Sequence, residues 1–283
     1  MARRRQTQRL TTQHIANKGV IGIFGELARQ HDLTVGEISD VVMKQLATDY
    51  PTLDFRKCRT ITKQEINNKL KEIDDYLGQE LYVPQAYIQP DGGIIEVLDD
   101  KKEWRVVLVT EAKFQGKEVQ NISAGILVGT KKDQDIMAAG NAIERSHKNI
   151  REVANYMLGE QHFPYVLFLE GSNFLTETIT VTRPDGRDVI LQYDSSNLNR
   201  IDRLTAANYS MPTNTNLCEN RVVTSRGQAV MLQAASIYTQ GRGGEWEHED
   251  MATAMFDVAR TSLKILASDL FDQMTGAVPG GED

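Results

Sequence analysis

Pro90-Asp91-Gly92-Gly93-Ile94-Ile95-Glu96-Val97, a polar Asp99-Asp100-Lys101-Lys102 turn, and Trp104-Arg105-Val106-Val107-Leu108-Val109-Thr110-Glu111-Ala112-Lys113 form the stretch from which the chain is read. Two apolar runs of strand length around a short charged turn predict an antiparallel hairpin. Side chains alternate along a strand, which places Trp104, Val106, Leu108 and Thr110 on one face and Val107, Val109, Glu111 and Lys113 on the other. Glu111 and Lys113 then share a face, Ala112 points away with its carbonyl still available, and the hairpin brings Asp91 beside Glu111. Two carboxylates with an ammonium at one point suit Mg²⁺, a cation that prefers oxygen ligands and keeps several waters. Such a site can stabilise charge on a phosphodiester and activate a water, with Lys113 orienting or helping deprotonate that water and offsetting phosphate charge. An E-x-K tripeptide alone is equally an exposed strand pair. The Pro-Asp some twenty residues upstream makes the pattern more specific, yet on these residues both readings stay open.

Outward from the hairpin, the first eighty residues read as helical. One helix is expected from about Leu33 to Leu46 and another from Thr62 to Ile73, where Thr62-x-x-Glu65 forms a capping-box signature. Tyr165 to Glu170 reads as a buried strand. Thr178–Thr182 and Asp188–Tyr193 read as a hairpin around Arg183-Pro184-Asp185-Gly186-Arg187, Ala229–Tyr238 as a strand, and Met251–Met274 as one or two helices. Between Asn141, expected as an N-cap, and Gly159 just past the end, Ile143, His147, Ile150, Ala154 and Met157 form an amphipathic stripe. His147 is therefore expected in the core. Helices followed by strands interleaved with helices indicate an α/β fold with a mixed sheet, and with no repeat or linker a single domain spanning 1–283 is expected.

Composition limits the alternatives. Cys58 and Cys218 are the only cysteines and lack CxxC spacing, and the five histidines lack metal-ligand spacing, which argues against a disulfide framework or a zinc knuckle. No run is long enough to span a membrane and no signal-like segment follows the Arg3-Arg4-Arg5 start, so a cytoplasmic protein without a membrane partner is expected. The net charge of −7 does not by itself suggest a nucleic-acid partner. Basic residues do gather in the N-terminal arm and at Lys113, Lys117, Lys131, Lys132, Arg145, Lys148 and Arg151.

Pro90-Asp91-Gly92-Gly93, Glu103 to Val109 and Glu111-Ala112-Lys113 resemble the PD…(D/E)xK core of the EcoRI-type type II restriction endonucleases. The resemblance continues through Met137 to Ile150, His162 to Glu177, Leu198 to Tyr209 and Met231 to Gly241, nearly the whole chain. It implies a restriction-endonuclease-like fold, a mixed β-sheet flanked by helices with DNA-wrapping arms. A basic arm at about 1–16 and arm segments at about 115–136 and 176–197 are expected. It further implies a Mg²⁺-dependent homodimer of a restriction–modification system that cuts double-stranded DNA at a palindrome, with GAATTC as the expected site, leaving 5′-phosphates.

Residue by residue, the resemblance makes Asp91, Glu111 and Lys113 catalytic, and Asp91, Glu111 and the Ala112 carbonyl the metal ligands. Base reading falls to Met137, Ala138, Gly140, Asn141, Ala142, Glu144, Arg145, Arg200 and Arg203. The chemistry agrees: small residues let the backbone approach base edges, Asn141 can pair bidentately with adenine, and Arg145 carries a fork for purine acceptors. Lys117, Lys148 and Asn149 are expected on DNA phosphates, which position without specifying. Gln89 and Phe114 depart from the family pattern, which has a lysine and a histidine there. Two rivals are a nuclease of the same core that cuts by DNA structure, and a DNA-binding protein without catalysis. The reading segment argues against the first and the complete Asp91, Glu111, Lys113 set against the second.

Overall fold

The computed structural model describes residues 26–126, 129–130, 133–134, 140–193, 201, 204 and 212–266. Five strands form the central sheet: β1 (Phe55–Cys58), β4 (Gly93–Leu98), β5 (Trp104–Phe114), β8 (Tyr165–Glu170) and β13 (Ser236–Thr239), in the order β1-β4-β5-β8-β13. β1 with β4 and β4 with β5 pair antiparallel, whereas β5 with β8 and β8 with β13 pair parallel, so β5 joins the two halves. Short pairs lie outside it: β2 (Ile61–Thr62) with β3 (Tyr87–Ile88), β6 (Gly129–Thr130) with β7 (Asp133–Gln134), β9 (Ile179–Thr182) with β10 (Asp188–Leu191), and β11 (Arg221–Ser225) with β12 (Gln228–Leu232). The mixed α/β architecture matches the fold class expected from the sequence.

Helices cover both faces. On one side α1 (Glu26–Asp49) and α5 (His248–Leu266) supply Val35, Ile38, Val42, Leu46, Met251, Met255 and Val258, which pack on Ile95, Val97, Val107, Leu108, Val166 and Phe168. On the other, α2 (Lys63–Ile73) and α4 (Gly140–Tyr156) place Ile66, Ile143, Ile150 and Val153, with Met157 just past the end of α4, against Ile94, Val109, Tyr165, Leu167 and Ile237. The Thr62 capping box forms as expected, the Thr62 hydroxyl accepting from Glu65 N–H and the Glu65 carboxylate accepting from Thr62 N–H. A short helix, α3 (Glu118–Ser123), follows β5.

Four sequence expectations are corrected. Ile95 pairs with Leu108 and Glu96 with Val106, leaving Val107 as an extra, bulged residue. Val107 and Leu108 therefore bury on the same side, whereas Val109 sits with Val106 on the other. Simple alternation holds only C-terminal to the bulge, where Glu111 and Lys113 lie. Second, 229–238 is not one strand: β12 closes a hairpin on β11 through Arg226 and Gly227, both at positive φ, and after residues 233–235 the chain joins the central sheet as β13. Arg-Gly is a weaker turn signal than Asn-Gly, so apolar pattern alone runs through the change of sheet. Third, His147 is exposed and Ser146 is buried in its place. At about 100° per residue the buried positions 146, 150, 153 and 154 occupy one arc of α4, and 147 falls just outside it. Fourth, α4 already includes Gly140, so Asn141 lies inside the first turn and not at the cap.

Candidate active site

The end of β5 makes the site. Val109 N–H donates to Pro164 O and Gln115 N–H to Glu170 O, both at 2.9 Å, so the odd positions of β5 direct their main chain toward β8. Even positions face the other way, where Thr110 O accepts from Gly92 N–H at 2.9 Å. β4 starts at Gly93 while β5 continues to Phe114, so Ala112 extends past its neighbour. Asp91 takes the missing strand's place, Oδ2 accepting from Ala112 N–H at 3.4 Å. By the same alternation the Ala112 carbonyl opens onto this edge. Gly92 is what permits the approach: a Cβ there would meet Thr110 Cβ at 2.7 Å and Val35 Cγ1 at 2.8 Å.

Asp91, Glu111 and Lys113 converge as the spacing predicts. Lys113 Nζ contacts Asp91 Oδ2 and lies 2.9 Å from Glu111 Oε1. The Glu111 side chain is 1% exposed, against 21% for Asp91 and 17% for Lys113, so the cluster opens to solvent on the Asp91 side. Burial pushes the Asp91 carboxyl above its ordinary value, with Glu111 adding and Lys113 opposing. Burial also works to strip the Lys113 proton, but the charges of Glu111 and Asp91 outweigh it and hold the ammonium above the ordinary lysine value.

Three side chains hold Glu111 from behind. The Tyr165 hydroxyl donates to Oε2, Asn149 Nδ2 donates to Oε1 at 3.2 Å, and Ser146 Oγ faces Oε1 at 3.5 Å. Burial, followed by the Glu111 charge, pushes the Tyr165 hydroxyl well above its ordinary value, so it keeps its proton and remains a donor. Tyr165 and Ser146 were missed by sequence reasoning. The signal was the single hydroxyl in the apolar run 165–169, because a buried tyrosine O–H needs a partner. Asn149, expected on a DNA phosphate, is turned toward Glu111.

The other candidates are more dispersed. Gly140, Asn141 and Ala142 occupy the first turn of α4, with exposed Glu144 and Arg145 just after them. Lys148 is exposed further along the same helix, and half-buried Lys117 precedes α3. Met137, Ala138, Arg200 and Arg203 lie outside the described residues. Gln89 is exposed beside the Pro90 turn, and Phe114 is buried.

Among the described residues no group of three or more His, Cys, Asp or Glu side chains is arranged to hold a metal by itself. Two carboxylates and a main-chain oxygen, with one side open to water, fit a hard divalent cation that retains several waters. Among the described residues no helix is long and apolar enough to cross a membrane.

A model of the restriction endonuclease EcoRI family matches residues 17–273. Type II restriction enzyme EcoRI of Escherichia coli is 61% identical over 275 residues, covering 97% of this chain and 99% of that protein. Type II restriction enzyme RsrI of Cereibacter sphaeroides is 52% identical over 265 residues, covering 94% and 95%. Members of this family act on double-stranded DNA with a divalent metal cofactor. On the matched sequence and the mixed sheet that carries it, this chain belongs to the EcoRI family of restriction endonucleases.

Proposed function

We propose that this restriction endonuclease recognises GAATTC as a homodimer and uses Mg²⁺ at Asp91, Glu111 and the Ala112 carbonyl to cut each DNA strand once. The observation that carries the reading is the meeting of Asp91, Glu111 and Lys113 beyond the end of β4. Without a cation the two carboxylates would repel a phosphodiester. Bound there, Mg²⁺ would supply charge stabilisation at the scissile phosphate and lower the pKa of a water. Lys113 Nζ, placed between the two carboxylates, orients or helps deprotonate the attacking water and offsets phosphate charge. The water oxygen bonds to phosphorus as the P–O3′ bond breaks; one water proton is given up at attack and the departing O3′ takes up a proton from solvent, leaving a 5′-phosphate and a 3′-hydroxyl.

In this reading the first turn of α4 enters the major groove with Gly140, Asn141, Ala142, Glu144 and Arg145. Met137, Ala138, Arg200 and Arg203 complete the reading set, and Lys117 and Lys148 contact phosphates. Each good bidentate base contact is worth about 1–3 kcal/mol of discrimination. Two-fold symmetry of the site calls for an isologous dimer with one active site per strand. We assign 1–283 to one domain with arms at about 1–16, 115–136 and 176–197, acting in the cytoplasm within a restriction–modification system.

The test is a digest of plasmid DNA carrying one GAATTC, with Mg²⁺ and with EDTA, followed by end sequencing. Linear product only with Mg²⁺, with ends inside GAATTC, supports the reading. Cutting at a different fixed site keeps the chemistry and overturns the base assignments. Binding without cutting, in the presence of Mg²⁺, favours the non-catalytic rival.

A further inference from the structure

We propose that Tyr165 and Asn149 are positioning residues for Glu111, and that Asn149 makes α4 the mechanical link between base reading and the metal carboxylate. The proposal rests on the reading of Glu111 as a metal ligand. A carboxylate at the end of a side chain has broad torsional freedom. Here both of its oxygens are tied outside β5, Oε2 to the Tyr165 hydroxyl and Oε1 to Asn149 Nδ2, with Ser146 Oγ also facing Oε1, in addition to Lys113 Nζ on the same strand.

The two ties come from different elements. Tyr165 opens β8, paired with β5 in the central sheet, and its ring is fully buried and stacked on Phe163 at 5.9 Å. It is a fixed reference that a ligand cannot easily move. Asn149 and Ser146 belong to α4, whose first turn holds Gly140, Asn141 and Ala142. Asn149 lies eight positions after Asn141, about 12 Å along a continuous helix. Ile143, Ile150 and Val153 bury on one side of that helix, so it moves as a unit. A shift of α4 as its first turn docks on bases is therefore delivered to Glu111 Oε1 through Asn149, while Tyr165 holds Oε2 to the sheet. In metal sites such supporting hydrogen bonds fix the ligand's orientation, and losing one typically lowers metal affinity or activity about 10- to 100-fold.

The test uses the full-length protein on a non-cleavable GAATTC duplex and on a duplex with one base pair changed. Mn²⁺ binding is read by electron paramagnetic resonance, and duplex affinity is measured without metal. Tyr165→Phe should weaken Mn²⁺ binding about 10- to 100-fold on both duplexes, with metal-free duplex affinity unchanged. Asn149→Ala should lower Mn²⁺ affinity chiefly on GAATTC, narrowing the difference between the two duplexes. Unchanged Mn²⁺ affinity in Tyr165→Phe, or an unchanged difference in Asn149→Ala, overturns the proposal. If Tyr165→Phe does not fold, the half-buried Asn149 site decides alone. Glu111→Gln separates the two levels: if it binds Mn²⁺ as the parent does, the ligand reading itself fails and the linkage with it. If it loses Mn²⁺ while the other variants keep it, only the linkage fails.

Discussion

Lys113→Met is the sharpest perturbation of the site, because methionine keeps the length and apolar stem of lysine and removes only the ammonium. Lys113 Nζ lies 2.9 Å from Glu111 Oε1 and also contacts Asp91, and all three side chains are at least about four-fifths buried. At that distance and an effective dielectric of about 20, the Glu111 contact alone amounts to about 6 kcal/mol of Coulomb attraction before desolvation is subtracted. Breaking a buried pair by removing one partner has a net cost of about 3–5 kcal/mol, since the remaining charge is left uncompensated. Asp91 retains 21% exposure and can draw in water, which places the expected loss near the lower end, about 3 kcal/mol. For a chain of this size that is about 6 °C in Tm. A divalent cation replaces the missing charge and no longer has an ammonium opposing it, so the deficit should shrink in saturating Mg²⁺. Scanning calorimetry of parent and variant, in EDTA and in Mg²⁺, reads both effects, with cleavage assayed alongside. Equal Tm values in EDTA, or a deficit that Mg²⁺ leaves unchanged, would refute the picture of one ammonium balancing two carboxylates.

Other perturbations probe the frame around the site. Gly171 has φ +88, and a Cβ there would collide with Gln115 O and come within 2.7 Å of Gly116 O, just after Lys113. Backbone strain and overpacking of about 1–3 kcal/mol each predict that Gly171→Ala loses about 3–4 kcal/mol; a Tm drop below about 2 °C would contradict this. Burial lowers the His162 imidazole below its ordinary value, opposed by the hydrogen bond from Nε2–H to Val106 O at 2.8 Å and by Glu160. The unfolded chain then takes up a proton near pH 6.5 that the folded state refuses, so stability is complete above about pH 6.5 and declines as pH falls through it. His162→Gln should flatten that decline in calorimetry between about pH 7 and 5, and an identical slope would assign it to other groups. Burial pushes the Cys218 thiol up to about 12, so iodoacetamide at mildly alkaline pH should leave Cys218 unlabelled until denaturant is added; mass spectrometry showing rapid labelling of the native protein would count against the packing around it.

The spacing of Asp91, Glu111 and Lys113 made most of the site legible in the sequence. Strand alternation is a short-range rule, and the segment from Val109 to Lys113 obeys it. The bulge at Val107 was invisible because consecutive valines fit either face equally well. Tyr165 and Ser146 were hidden for a different reason: a hydrogen bond to a residue some 35 to 54 positions away leaves no periodic trace. His147 shows the limit of a stripe read by steps of three and four, which tolerates an error of one residue at its edge. The split of 229–238 between a peripheral hairpin and the central sheet depends on the parallel pairing of β13 with β8, a long-range contact that local propensity does not encode.

The bulge in β5 also bears on how this strand can change length. Val107 has no partner opposite it on β4, so β5 holds one residue more than its ladder requires. Loss of a residue between Trp104 and Leu108 can be absorbed by straightening the bulge, with Glu111 and Lys113 kept on their face. Loss of a residue between Val109 and Glu111 has no such slack nearby and would turn the Glu111 and Lys113 side chains toward α1 and α5. The two halves of one strand should therefore differ sharply in their tolerance of deletion. Chain slippage in the first half would be survivable, and in the second it would leave a folded protein in which Asp91 has lost its two partners on β5.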